Sequence, residues 1–278
     1  MDLRDAMLKR KSVRTYTGEP VPEEIKQKLR NYIETVNGPF NTQMQFGIID
    51  MKEANPGIKL GTYGFIKGAS TFICAVVKKE KRMEENLGYV FEKIILYATS
   101  LGLGTCWLGG TFKRSEFGKA LGVGSDELVP VVTPVGYENE KKSLIDNITV
   151  AIAKPASRKD WSELFFDNDF TRPLGKEDAG VFQECLDMVR IAPSASNKQP
   201  WRIVRDRNVF HFFICRTPGY GKLFNYDIQK LDLGIAMCHF ELTAQQIGVS
   251  GRWDDLNPGI PCPGNTEYLL SYIAEQNI

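Results

Sequence analysis

Three polar or glycine-containing stretches hold the residues best suited to chemistry. Near the N-terminus, KRKSVR places Lys9, Arg10, Lys11, Ser12 and Arg14 within six residues. Arginine offers a fork of donors, lysine a point charge and serine a neutral hydroxyl, a set that can grip a phosphate. The same run also suits the C-terminal end of a short helix, DLRDAMLKR, capped by Asp2, where cations meet the helix dipole. Far downstream, APSASNKQPWR (192–202) groups Pro193, Ser194, Ala195, Ser196 and Asn197 ahead of Trp201. Between them, LGLGTCWLGG (101–110) ends in Leu108-Gly109-Gly110, whose backbone can approach a planar ligand closely. It is not a dinucleotide fingerprint, because Trp107 stands where GxGxxG needs its last glycine and a helix, not a strand, precedes it. Gly118-Lys119 likewise lacks the remaining residues of a Walker A loop.

Composition narrows the function class. The 278 residues carry a net charge of +1, which gives no global pull toward nucleic acid or an anionic membrane. Hydrophobic content of 42% with 25% charged residues is that of an ordinary soluble globular protein. No run of about 18 apolar residues predicts a membrane span, and MDLRDAMLKRK carries acids where a secretory signal would be apolar. A cytoplasmic protein is expected. Cys74, Cys106, Cys185, Cys215, Cys238 and Cys262 are scattered without a CxxC pair, and the only histidines are His211 and His239. That excludes a usual structural zinc pattern and gives no local support to a Cys-His catalytic pair. Neither histidine is given a role.

The elements that must position these residues follow from periodicity. PVPEEIKQKLRNYIETV (20–36) has proline at its start, acids in its first turn and apolar residues at helical spacing. FGIID and TFICAVV (71–77) read as strands, and NLGYVFEKIILYATSLGLG (86–104) as a long apolar helix. LVPVVTPVGY (128–137) reads as a strand whose prolines place it at a sheet edge. DAGVFQECLDMVRI reads as a helix ahead of the 192–202 loop, and RIVRD as the strand after it.

Shifted by 146 residues, 86–107 falls on DLGIAMCHFELTAQQIGVSGRW (232–253) without a gap. Leu87/Leu233, Gly88/Gly234, Leu96/Leu242, Ala98/Ala244, Gly102/Gly248 and Trp107/Trp253 are identical, where chance would give roughly one or two matches. Upstream, NTQMQFGIID (41–50) matches NKQPWRIVRD (197–206). The chain reads as a tandem duplication of one α+β unit, with halves at 1–160 and 161–278. The losses are complementary. The first half has the basic KRKSVRTY, where the second reads FFDNDFTR; the second has APSASNKQPW, where the first has the shorter GPFNTQMQ.

Together, KRKSVRTYTGEPV, APSASNKQPWRIV and LGLGTCWLGG resemble the motif set of the FMN-dependent nitroreductase family, over most of the chain. The resemblance implies an α+β fold of three α/β/α layers. In that family FMN sits at the interface of a homodimer. One departure matters: here the basic motif and the PSASN loop fall in different copies, which resembles a tandem-fused branch in which one chain is its own pseudo-dimer with one FMN site. Carried over, Arg10, Lys11, Ser12 and Arg14 would contact the phosphate, ribityl chain and pyrimidine edge. Pro193, Ser194, Ala195, Ser196 and Asn197 would form the loop from the partner unit, and Leu108, Gly109 and Gly110 would face the reactive side of the ring. Arg158, in KPASRKDW (154–161), would be a second phosphate ligand, with Lys154 and Lys159 weaker choices.

The implied activity is hydride transfer from NADH or NADPH through FMN to an electron-poor small molecule, without nucleic acid or membrane, and with a monomer sufficient for one site. A flavin-binding protein without turnover, serving storage or redox sensing, shares the same motifs. Specialised family reactions, such as flavin fragmentation or reductive dehalogenation, would need a substrate lid. The nearest lid candidate is the glycine-rich 51–68.

Overall fold

The computed structural model describes residues 3–51, 60–139 and 157–275. Asp2, Lys154 and residues 52–59 of the lid candidate at 51–68 therefore lie outside the described residues. The chain divides into two compact units, Met1–Lys154 and Pro155–Ile278.

In the first unit, α1 (Leu3–Lys9) and α2 (Glu23–Thr35) precede β1 (Met44–Asp50) and β2 (Thr71–Lys78). The long helix α3 (Met83–Ser100) leads to β3 (Gly104–Thr105), followed by α4 (Arg114–Leu121), β4 (Glu127–Leu128) and β5 (Val132–Gly136). Pro22 stands at the N-cap of α2, with Glu23 and Glu24 in the first turn, where acids meet the positive end of the helix dipole. The strand order is β1-β2-β5-β3, all antiparallel, with β4 a short addition on β2.

β2 is buried on both faces, which explains its unbroken apolar run. Phe72, Cys74 and Val76 pack with Phe117 of α4 on one face. Ala75 pairs with Phe46, which stacks on Phe91 of α3 on the other. Helices thus cover both faces of this sheet.

The prolines of 128–137 do not place β5 at an edge: it pairs with β2 on one side and β3 on the other. The register that pairs Gly104 with Gly136 continues through Cys106 opposite Pro134 to Leu108 opposite Val132. Val132 and Leu108 exchange both backbone bonds at 3.0 Å, so Pro134, two residues on, faces the same side. There Cys106 N–H donates to Thr133 Oγ1 at 3.1 Å, and that hydroxyl donates to the Pro134 carbonyl at 3.1 Å. A threonine side chain carries the ladder past the residue that has no N–H.

The second unit runs through a capped turn at Trp161–Leu164, β6 (Phe165–Asp167), a 3-10 segment Glu177–Phe182, a helix Gln183–Ile191, β7 (Trp201–Asp206) and β8 (Val209–Cys215). The long helix Ile228–Gln246, β9 (Gly251–Asp254) and β10 (Thr266–Ala274) complete it. Its strands are ordered β6-β7-β8-β10-β9. Without β6, which pairs parallel to β7, this repeats the order of the first unit, with the long helix again following the second strand. Phe240 of that helix packs on Phe210, Phe212 and Tyr272 of the sheet. The expected helix 178–191 is broken at Gly180, whose backbone is non-helical at φ 56° and ψ −135°. The architecture is the expected mixed α+β repeat.

Candidate functional site

Each unit carries one group of the candidate residues. In the first, α1 closes with Arg10 N–H donating to Ala6 O at 2.8 Å. The chain then runs extended: Ser12 bridges Thr105 in parallel, Val13 N donates to Thr105 O at 2.8 Å, and Arg14 O accepts from Lys67 N at 2.9 Å. Two glycines make room for this segment. A Cβ at Gly104 would meet Val13 side-chain atoms at 2.9–3.1 Å, and one at Gly68, where φ is 76°, would overlap the Tyr16 carbonyl oxygen.

The three cations of this segment meet different surroundings. The Arg10 side chain is 7% exposed, with Nε 3.8 Å from Oε1 of the fully buried Glu92. Its Nε and Nη1 are buried and have no hydrogen-bond partner among the described residues, although buried guanidinium donors are normally satisfied. Lys11 points outward to Glu138, Nζ to Oε2 at 2.7 Å. Arg14 Nη1 reaches the Ser12 carbonyl at 3.5 Å.

Leu108 is fixed at both its N–H and its carbonyl by Val132. Gly109 O accepts from Arg114 Nη2 at 2.8 Å, and the same guanidinium donates to Val129 O at 2.8 Å and Pro130 O at 3.3 Å. Arg114 also lies 5.0 Å over the Phe112 ring. Gly110 is exposed and opens, with Tyr63, Phe112, Lys113 and Ser115, onto a cavity of about 670 Å³.

In the second unit the loop is strained. Ala192 ends its helix with φ −53° and ψ 145°, the conformation that a following proline (Pro193) imposes. Ser196, Asn197 and Gln199 then have φ of 49°, 53° and 48°, a region that costs a non-glycine residue about 1 kcal/mol or more. Hydrogen bonds from several directions hold this shape. Ala195 N donates to Asp232 Oδ1 at 2.9 Å, Gln199 N to Ser194 Oγ at 2.9 Å, and Tyr220 OH to Ser196 Oγ at 2.9 Å. Lys159 N donates to Gln199 Oε1 at 2.8 Å. Below the loop Trp201 is fully buried in β7.

Arg158, expected on a phosphate, is brought to this loop. Its Nη1 donates to Asn197 Oδ1 at 3.1 Å and its Nη2 to Ile191 O at 3.0 Å, while Asn197 Nδ2 donates to Ser157 O at 2.8 Å. Asp232, Asn86, Glu92 and Arg114 were not singled out by sequence. Asn86 and Asp232 share one column of the internal repeat, which was the available signal. Arg114 had none, because its partners are backbone carbonyls 5 to 16 residues away, which carry no residue-type signal.

His211 and His239 are buried and bonded within the second unit, to Ser271 Oγ at 2.7 Å and Met188 O at 3.0 Å. Burial lowers the His211 pKa. All six cysteines are free, and burial pushes the Cys185 thiol up to about 12. Among the described residues no side-chain group could hold a metal ion, and no helix is long and apolar enough to cross a membrane.

A family model described as "Putative TM nitroreductase" matches residues 2–244. Among solved structures, a "putative nitroreductase" from Thermotoga maritima MSB8 is 20% identical with a TM-score of 0.63, covering 99% of this chain and 95% of that one. At that identity the likeness shows the fold. A FMN-dependent nitroreductase from Clostridium difficile R20291 is 24% identical over 50% of this chain and 88% of its own, with a TM-score of 0.41. No curated protein matches the sequence.

Proposed function

Because the chain belongs to the "Putative TM nitroreductase" family, we propose that it is an FMN-dependent oxidoreductase that moves electrons from NADH or NADPH to an electron-poor small molecule, such as a nitroaromatic or a quinone. The observation that carries this reading is Arg10: a buried guanidinium with two nitrogens lacking an acceptor among the described residues, at the head of a segment of further cations. A phosphate would supply the missing acceptor oxygens. The donor set of the chain therefore fits FMN.

Arg10, Lys11, Ser12 and Arg14 would hold its phosphate, ribityl chain and pyrimidine edge. Pro193, Ser194, Ala195, Ser196 and Asn197 would supply a second wall, with Arg158 fixing Asn197 and adding positive charge. Leu108, Gly109 and Gly110 would face the reactive side. When bound, FMN would supply the redox chemistry of hydride transfer between the nicotinamide and the acceptor, in a ping-pong cycle. The chain binds and orients. Positive charge from Lys11 and Arg14 would stabilise negative charge developing on the pyrimidine side. The backbone strain at Ser196 and Asn197 is what a preorganised binding loop would carry.

The complementary motifs lead to one FMN per chain, so that a monomer suffices. The test is the visible spectrum and flavin content of the purified protein, with NADH and NADPH oxidation followed against a nitroaromatic and a quinone. The expected result is a yellow protein near one FMN per chain with acceptor-dependent turnover. Flavin without turnover would leave a storage or sensing role, and a colourless protein that FMN cannot reconstitute would overturn the reading. Arg10→Ala and Asn197→Ala should each weaken FMN binding by roughly tenfold or more.

A further inference from the structure

Asn86 and Asp232 stand 146 residues apart in the same column of the internal repeat, each near the start of a long helix. Both reach back to the loop that joins the preceding helix to the first strand of the repeat. Asn86 uses both ends of its amide: Oδ1 accepts from Phe40 N at 3.2 Å, and Nδ2 donates to Phe40 O at 2.7 Å and Thr42 Oγ1 at 2.8 Å. Asp232 takes the Ala195 N–H on Oδ1 at 2.9 Å, and its Oδ2 has no hydrogen-bond partner among the described residues. It is 1% exposed.

An acid in that place is costly to bury unless neutral. Burial, with a smaller contribution from Asp227, pushes its pKa well above the ordinary carboxylate range, against the opposing pull of the Ala195 N–H. A neutral carboxyl still offers a carbonyl oxygen to that N–H. The Ala195 amide immediately precedes the two consecutive left-handed residues, Ser196 and Asn197. Fixing it fixes where their strained turn begins.

We propose that Asp232 is the positioning residue of the Ser194–Gln199 loop, its Oδ1 holding the Ala195 N–H so that the left-handed turn at Ser196 and Asn197 is ready before FMN arrives. This rests on the flavin reading for its ligand, but not for its geometry. Tyr220 and Arg158 grip side chains of the loop from other directions. Asp232 is the contact from the long helix to its backbone.

The experiment uses the full chain and two substitutions. Asp232→Leu keeps the branched outline and removes the acceptor, while Asp232→Asn keeps the acceptor and copies the residue of the first unit. Amide exchange of Ala195 is measured in flavin-free protein, and FMN affinity by quenching of flavin fluorescence, with thermal unfolding recorded for each variant. Asp232→Leu is expected to speed Ala195 exchange and weaken FMN by about tenfold, the scale of one buried hydrogen bond. Asp232→Asn is expected to stay within about threefold of the original in both. If the leucine variant does not fold, Asp232→Ala gives the same comparison. Unchanged Ala195 exchange in the acceptor-less variant would overturn the proposal, as would an asparagine variant as impaired as the leucine one. Failure of the flavin reading looks different: the original protein would not bind FMN, while Ala195 exchange would still respond to position 232.

Discussion

Trp107 and Glu92 are joined by an indole N–H to carboxylate hydrogen bond of 2.7 Å, and the other oxygen of that carboxylate is the counter-charge of Arg10. The tryptophan of the second repeat makes the same tie, Trp253 Nε1 to Glu241 Oε2 at 2.6 Å, but to a glutamate almost one helical turn later. Cys238 stands in the column that Glu92 occupies. The unit that keeps the arginine is also the one that keeps its buried acid.

Glu92→Gln preserves an acceptor for Trp107 and deletes the charge beside Arg10. Leaving a buried cation uncompensated should cost flavin-free protein up to about 3 kcal/mol. FMN should then raise the unfolding temperature more in this variant than in the original, because its phosphate would become the sole counter-charge. Equal shifts on adding FMN would show that Arg10 does not depend on Glu92.

Arg114→Gln removes a guanidinium that bridges three carbonyls, which no amide side chain can replace. The expected loss is about 2 kcal/mol of stability, with faster exchange at Gly110, whose N–H shares a peptide plane with the clamped Gly109 carbonyl. Arg114→Lys should restore little, since a single ammonium lacks the fork. Exchange at Gly110 equal to that of the original would refute the clamp.

Gly68→Ala places a Cβ on the Tyr16 carbonyl oxygen at a backbone φ of 76°. The two penalties together should exceed about 2 kcal/mol in chemical denaturation. The cost should also appear as weaker FMN binding, because Tyr16 closes the extended segment that begins at Arg10. Full affinity in a folded variant would separate the segment from the site.

Asp232→Asn should make stability less dependent on pH. A carboxyl whose native pKa is raised keeps its full contribution below the unfolded value near 4, and loses it as pH rises toward the native value. The original protein should therefore fall behind the asparagine variant by up to about 1.4 kcal/mol per pH unit above about pH 4. The groups facing Asp232 electrostatically are Tyr220, in the loop before its helix, and Asp227, at the N-cap of that helix. Asp227 is itself paired with Arg216 at 2.7 Å. A constant gap in urea unfolding from about pH 4 to pH 8 would mean that Asp232 is ionised in the folded protein.

Much of the fold was legible because it rests on periodic burial. The α2 helix, β1, β2 and the first long helix follow from apolar spacing, and the repeat, with its second long helix, from matched columns. Apolar spacing carries the long helix of the first unit four residues too far, to 104 instead of Ser100: Gly102, with φ of 83°, ends it, and the apolar Leu103 beyond it continues the pattern into a strand. The prolines point to an edge because each removes one donor, and the sequence alone does not show that the Thr133 hydroxyl relays the Cys106 N–H to the Pro134 carbonyl and keeps the two strands joined. Lys11, Arg14 and Asn197 were visible as residue types. Arg114 and Asp232 were not, since their work is done on backbone groups 5 to 37 residues away in sequence.

The shared strand order of the two units has a consequence for how this protein can change. In a symmetric homodimer every substitution is made twice, and a change that helps one side of a pocket is imposed on its mirror image. In a single chain with two copies, each codon is tested once. Asn86 and Asp232, or Glu92 and Cys238, could part ways without either choice being duplicated. The linkage of both halves on one polypeptide removes the genetic symmetry while each half keeps its own strand order, so that the two sequences are free to diverge.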